Sequence, residues 1–255
     1  MNSFLYIAWL SWTESIRNKI AYGVLTFVVI LLLAVSAIAS VTMGRIEMMI
    51  TDMGLGLVSI MLNLMAILFT IQSIQQEKEG RTLYVLLTRL SGRWQYIAGK
   101  FVGLAVILAL QAALMLGLLA LLISVFGEIF WISYLQAALA LVLEAWVVSA
   151  IAILFSQASS LFLAILLTLA VDIAGRFVSV INHLAIQLDG NAAAYFVKAV
   201  ALTLPDLESI NLNSDAGYIG YYAWGHVAQV GGYALIECIV LLTLSCIIFQ
   251  RRNLS

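Results

Sequence analysis

Charge is the scarcest commodity in this sequence. Only 10% of its 255 residues are Asp, Glu, Lys or Arg, 64% are hydrophobic, and the mean hydropathy is strongly positive. A soluble domain is roughly half apolar, so this composition excludes one and identifies an integral membrane protein. The formal net charge is −1, and no nucleic-acid partner is expected. A single proline leaves long helices uninterrupted. The two cysteines, Cys238 and Cys246, lie eight apart on one apolar stretch, too far for a disulfide and without a histidine at ligand spacing. They read as small packing residues. Catalytic signatures are missing as well: there is no H-E-x-x-H and no G-x-S-x-G, and His183 and His226 stand alone, so neither an enzyme nor a metal site is expected. The run Gly92 to Gly99-Lys100-Phe101 imitates a phosphate-binding loop, but its glycines are too widely spaced and Phe101 stands where Ser or Thr is required.

What remains is apolar sequence in helix-length blocks. About 20 apolar residues are needed to cross the hydrocarbon core, because each helical residue rises about 1.5 Å and unpaired backbone groups cannot be solvated in lipid. Six stretches qualify: 20–43, 54–74, 97–126, 133–155, 159–181 and 225–249. The expected fold is an all-α polytopic membrane protein forming one domain over 1–255. The third span is long enough to tilt or extend beyond the bilayer. The fourth and fifth are joined by only Ser156-Gln157-Ala158, which predicts a tight antiparallel hairpin.

Lys and Arg set the orientation. Arg17, Lys19, Lys78, Arg81, Arg89, Arg93, Lys100, Arg251 and Arg252 all fall on one side of a six-span arrangement, nine of the twelve basic residues. Both termini and the segment between spans two and three are therefore expected in the cytoplasm, the protein sitting in a bacterial-type inner membrane. Arg17, Lys19 and Ala37-Ile38-Ala39 together imitate a signal peptide, but the apolar run continues past Ala39 to a spanning length. Residues 1–19 read as an interfacial helix with Phe4, Ile7, Trp9 and Trp12 on its apolar side.

Residues 76–94 combine charge, amphipathic spacing and turn residues. Leu83, Leu86, Leu87 and Leu90 follow i, i+3, i+4, i+7, predicting a short helix lying beneath the bundle before Ser91-Gly92 breaks the pattern. Such a helix either transmits force from a soluble partner or serves only as a positive-inside loop that anchors topology.

The pattern Glu77-x-Glu79-Gly80-x-Thr82-Leu83-x-x-Leu86-Leu87-Thr88, with Gly92-Arg93 and Gly99-Lys100 after it, resembles the segment that follows the second span in ABC-2-type transporter permeases, the membrane subunits of one class of ATP-binding-cassette transporters. Pro205-Asp206-Leu207-Glu208-Ser209-Ile210-Asn211-Leu212 is similar to a stretch before the last span in the branch that includes the nitrous-oxide-reductase maturation permease. The resemblance extends to the amphipathic start, the six spans and the basic C-terminus. It implies that 76–94 is a coupling helix seated on a separate ATPase subunit, with Glu77, Glu79, Arg81, Thr88, Arg89 and Arg93 in contact. It also implies that ATP and Mg bind that partner and not this chain, and that a second permease copy or a homologous permease completes the route. Where many relatives have a second glycine and a proline, this chain has Arg81 and Leu90, so its helix is expected to run longer. Export, or extraction of cargo from the membrane, is implied by the resemblance alone.

Four charged residues, Glu144, Asp172, Arg176 and Glu237, fall within or near the ends of apolar spans, where each costs about 2.5–3.5 kcal/mol at the centre of an inserted helix. Asp172 and Arg176 are four apart and can pair on one face; Glu144 and Glu237 have no partner at helical spacing. This group either packs the bundle or lines a route. The long loop 182–224 ends in Tyr218, Tyr221, Tyr222 and Trp224, suited to the outer interface. Besides a permease, a proton-coupled carrier and a membrane scaffold that recruits a cytoplasmic protein are the readings left open.

Overall fold

A computed structural model of the chain describes residues 19–41, 46–79, 93–126, 131–178, 180–181, 204–212 and 222–251. Among these residues the helices are α1 (Lys19–Val41), α2 (Ile46–Glu79), α3 (Arg93–Phe126), α4 (Trp131–Ala158), α5 (Leu161–Arg176) and α6 (Trp224–Arg251). No strand occurs among the described residues. The expected interfacial helix at 1–19 lies outside the described residues except for Lys19, as do 80–92 and most of the loop 182–224.

Each apolar block of the sequence has one helix at its centre, for the reason given by the bilayer: a helix satisfies its own backbone. Among the described residues four helical stretches are long and apolar enough to cross a membrane: Met48–Lys78, Trp94–Phe126, Trp131–Ala158 and Trp224–Phe249. α2 and α3 each contain 34 residues, about 50 Å of helix, well beyond the hydrocarbon thickness. The second helix therefore starts earlier and ends later than the 54–74 expected from hydropathy alone. Its extra turns are covered by protein: Ile50 and Glu77, outside that window, are both buried.

α4 packs against α2, α3, α5 and α6. Small residues on several of its faces, Ala137, Ala140, Ala145, Ser149, Ala150 and Ala152, are fully or almost fully buried and let neighbouring backbones approach. Two aromatic side chains fix it to α3 by donating to carbonyl oxygens, Tyr134 to Leu116 at 2.5 Å and Trp146 to Ala105 at 3.1 Å. At the end away from residues 80–92, the Gln136 amide donates to the Tyr222 carbonyl at 2.8 Å and accepts from its N–H at 3.0 Å, pinning the start of α6.

The α4–α5 hairpin turns at Ser159-Ser160, just after the Ser156-Gln157-Ala158 expected from the sequence. Ser156 and Gln157 remain helical and buried. α5 is short. It reaches Arg176, turns at Phe177, and is met there by Leu204–Leu212, a non-helical segment whose Pro205, Leu207, Ile210 and Leu212 are buried. Leu207 N–H donates to the Gly175 carbonyl at 3.2 Å, and Asp206 N–H donates to the Tyr233 hydroxyl on α6 at 3.0 Å. Asp206 also shapes its own turn, its carboxylate accepting from Ser209 N–H at 3.1 Å.

Gly175 is where this seat leaves no room: a Cβ there would lie 2.7 Å from the Pro205 carbonyl oxygen, a backbone atom. Gly232 on α6 would meet nothing within 4 Å. Gly175→Ala is therefore expected to destabilise the protein by about 1–3 kcal/mol through overpacking, while Gly232→Ala gains the usual helical advantage of roughly 0.5–1 kcal/mol. Thermal unfolding of both variants in lipid discs checks this; equal midpoints would contradict the close seat.

Candidate functional site

Among the described residues two multi-residue polar groupings stand out in the apolar interior, and α2 carries residues of both. The first lies at the end of the bundle from which residues 80–92 depart, called the foot here. Glu77 on the last turn of α2 is buried, and both of its oxygens are used: Lys100 on α3 donates to Oε1 and the Tyr96 hydroxyl to Oε2. Lys100 is 0% exposed. Removing one member of a buried pair typically costs about 3–5 kcal/mol, because the other is left charged and unsolvated. The Tyr96 ring stacks on Phe249 of α6 with centroids 5.8 Å apart, within a small apolar cluster completed by Ile74, Ile97 and Ile153.

Two more donors on α2 reach across to the α4–α5 turn. Lys78 Nζ donates to the Ser156 carbonyl, and Gln75 Nε2 donates to the Ser159 carbonyl at 3.1 Å. The last carbonyls of a helix have no intrahelical donor, and a cation there also meets the negative end of the helix dipole. The foot thus ties α2, α3, α6 and the hairpin together.

The second grouping lies midway along α4. Glu144, 1% exposed, accepts from Arg176 Nη2 at 2.7 Å and from Asn63 Nδ2 at 2.9 Å, with Ser59 Oγ at 3.4 Å. Asn63 also donates to Asp172 Oδ1 at 3.2 Å, and Arg176 Nη2 to Ser59 Oγ at 3.1 Å. Asp172 and Arg176 pair along α5 as their spacing predicts, at 3.7 Å, but the closer bond of the guanidinium is to Glu144. Glu144 therefore has the partner that its own helix could not supply. Ser59 and Asn63, one turn apart on α2, are uncharged and so do not stand out in a charge pattern; a Ser and an Asn at i, i+4 in an apolar span are the signal that marks them.

The remaining candidate residues fall as follows. Glu77, expected at the partner surface, is engaged within the chain. Glu79 ends α2 and Arg93 begins α3, so they bracket the departing segment; Arg81, Thr88 and Arg89 lie outside the described residues. Glu237 sits on α6 one turn from Tyr233, whose hydroxyl it meets. Both cysteines are free, Cys238 buried and Cys246 partly so. His226 stacks on Tyr222 at 5.1 Å, and His183 lies outside the described residues. Among the described residues no group of three or more His, Cys, Asp or Glu side chains could hold a metal ion.

Charge arithmetic ranks the variants of the mid-helix cluster. Glu144 and Asp172 against Arg176 give a formal −1. Arg176→Met leaves −2, whereas Glu144→Gln leaves the neutral Asp172–Arg176 pair. Arg176→Met is expected to be the more destabilising, by about 3–5 kcal/mol against 1–3 kcal/mol for Glu144→Gln. Thermal unfolding in lipid discs gives the order, and the reverse order would exclude this account of the cluster.

Comparison with known proteins fits a bundle of this kind. A family model described as an ABC-2 family transporter protein matches residues 5–254. The chain is also 32% identical over 141 residues to a probable ABC transporter permease protein, NosY, of Stutzerimonas stutzeri, the alignment covering 51% of each protein. The chain thus matches about half the length of that curated relative. With a family match running over nearly its whole length, the chain belongs to the ABC-2 family of transporter proteins.

Proposed function

We propose that this chain is the permease subunit of an ATP-driven transporter, with six membrane-spanning helices, both termini in the cytoplasm and the foot on the cytoplasmic side. The observation that carries the reading is the pairing of a family match over residues 5–254 with the construction of the foot, where the roots of the 80–92 segment are joined by a buried ion pair. A loop that served only to fix topology would need no such joint.

In this reading residues 76–94 form the coupling segment. Glu79, Arg81, Thr88, Arg89 and Arg93 meet a separate ATPase subunit that binds ATP and Mg, while Glu77 supports them from within. Two permease copies, or this one and a homologue, enclose the route. Leu204–Leu212, non-helical yet packed between α5 and α6, suits a re-entrant closure on the outer side, since irregular backbone at membrane depth is tolerated where protein covers it. The bundle interior is dominated by Leu, Ile, Val and Ala, which favours a lipid-like or hydrophobic-peptide cargo for export or extraction. The proton-coupled alternative loses one of its two candidate carboxylates, since Glu144 is paired with Arg176.

A cysteine placed at Arg89 is expected to react with a membrane-impermeant thiol reagent only from the cytoplasmic side and to crosslink to an ATPase subunit. Arg89→Glu is expected to reduce co-purification of that subunit severalfold at low salt, less so as salt screens the contact. Labelling from the outside would reverse the topology, and a chain that captures no ATPase would remove the function.

A further inference from the structure

The Glu77–Lys100 pair joins the two roots of the departing segment to each other. Moving that segment would then move the ends of α2 and α3 together, but the hairpin of α4 and α5 is a separate piece of chain. Its link at this level is made by Gln75 and Lys78.

Resting on the permease reading above, the geometry points to Lys78 and Gln75 as positioning residues for coupling, which carry a displacement of residues 80–92 into the α4–α5 turn. Their acceptors are main-chain carbonyls at the end of α4 and in the turn, so a pull on either donor acts on the backbone directly. The turn can transmit it because it is short and bonded on both sides: Ser159 N–H donates to the Phe155 carbonyl and Ala164 N–H to the Ser160 carbonyl, each at 2.9 Å. Beyond the turn, α5 leads in 16 residues to Gly175 and Arg176. There the Gly175 carbonyl holds Leu207 and Arg176 holds Glu144. Gln75 and Lys78 thus stand at the start of a continuous bonded path from the foot to the segment seated across α5.

Because the acceptors are main-chain, Ser159→Ala leaves the tie intact and serves as the silent control. The test uses spin labels at Gln76, which is exposed, and at Phe162, which is 73% exposed, in the permease–ATPase complex in lipid discs. Their separation is measured without nucleotide and after trapping with ATP and vanadate. The parent chain and Ser159→Ala are expected to hold one separation in both states, since root and hairpin move together. Lys78→Met combined with Gln75→Leu is expected to shift it on trapping by on the order of 2–5 Å, the range of helix displacements in switching proteins, with ATP hydrolysis retained. Lys78→Arg, with Gln75 intact, is expected to keep the parent's constant separation. A double variant that still holds one separation overturns the proposal, as does loss of hydrolysis that Lys78→Arg shares. The labelled permease alone, without ATPase, gives an independent arm: the double variant must broaden the Gln76–Phe162 distribution, and an unchanged width overturns the tie even if no ATPase is captured, an outcome that would instead count against the permease reading.

Discussion

Charge withdrawn from water is the constraint on which this bundle depends. Between helices in a bilayer, apolar burial is a poor guide to which faces should meet, because acyl chains are as apolar as leucine. A buried carboxylate has no such freedom. Glu144 on α4 is compatible with few arrangements other than one that brings Arg176 and Asn63 to it, and Glu77 on α2 requires Lys100 and Tyr96 from α3. These two demands fix α2 against three neighbours at two heights, and the apolar packing fills in around them.

The two groupings differ in design. At the foot, ion pair, aromatic stack and carbonyl-directed donors gather four elements around one helix end. The mid-helix cluster is more open, with Arg176 28% exposed in its side chain and Asp172 13%. One grouping suits a joint that must not slip, and the other a contact able to rearrange when α5 moves.

The helices were legible in the sequence because hydropathy reports them directly, and the i, i+4 pairing of Asp172 with Arg176 was visible for the same local reason. Helix limits were less so: α2 outruns its hydropathic core at both ends because protein contacts, which a composition window does not see, cover Ile50 and Glu77. The Glu77–Lys100 pair crosses 23 positions and Glu144–Arg176 crosses 32, separations that no helical period encodes. The family resemblance places Glu77 at the partner surface; only the return of α3 beside α2 shows that its side chain points into the protein. The short seat of Leu207 on Gly175 was hidden for another reason, since a glycine in an apolar helix gives no sign of which backbone will approach it.

α6 stands apart from this economy. Leu235, Ile236, Ile239, Val240, Leu244 and Ile247 are about half exposed or more, while Ala234, Cys238 and Ser245 turn inward and are buried. Where that outward ridge meets lipid, one aliphatic residue can replace another at little cost. The inward side is small at Ala234, Cys238 and Ser245 and large at Phe249, which stacks on Tyr96. Related chains can accordingly drift freely along one side of the same helix while the other side is held to a narrow choice of residues.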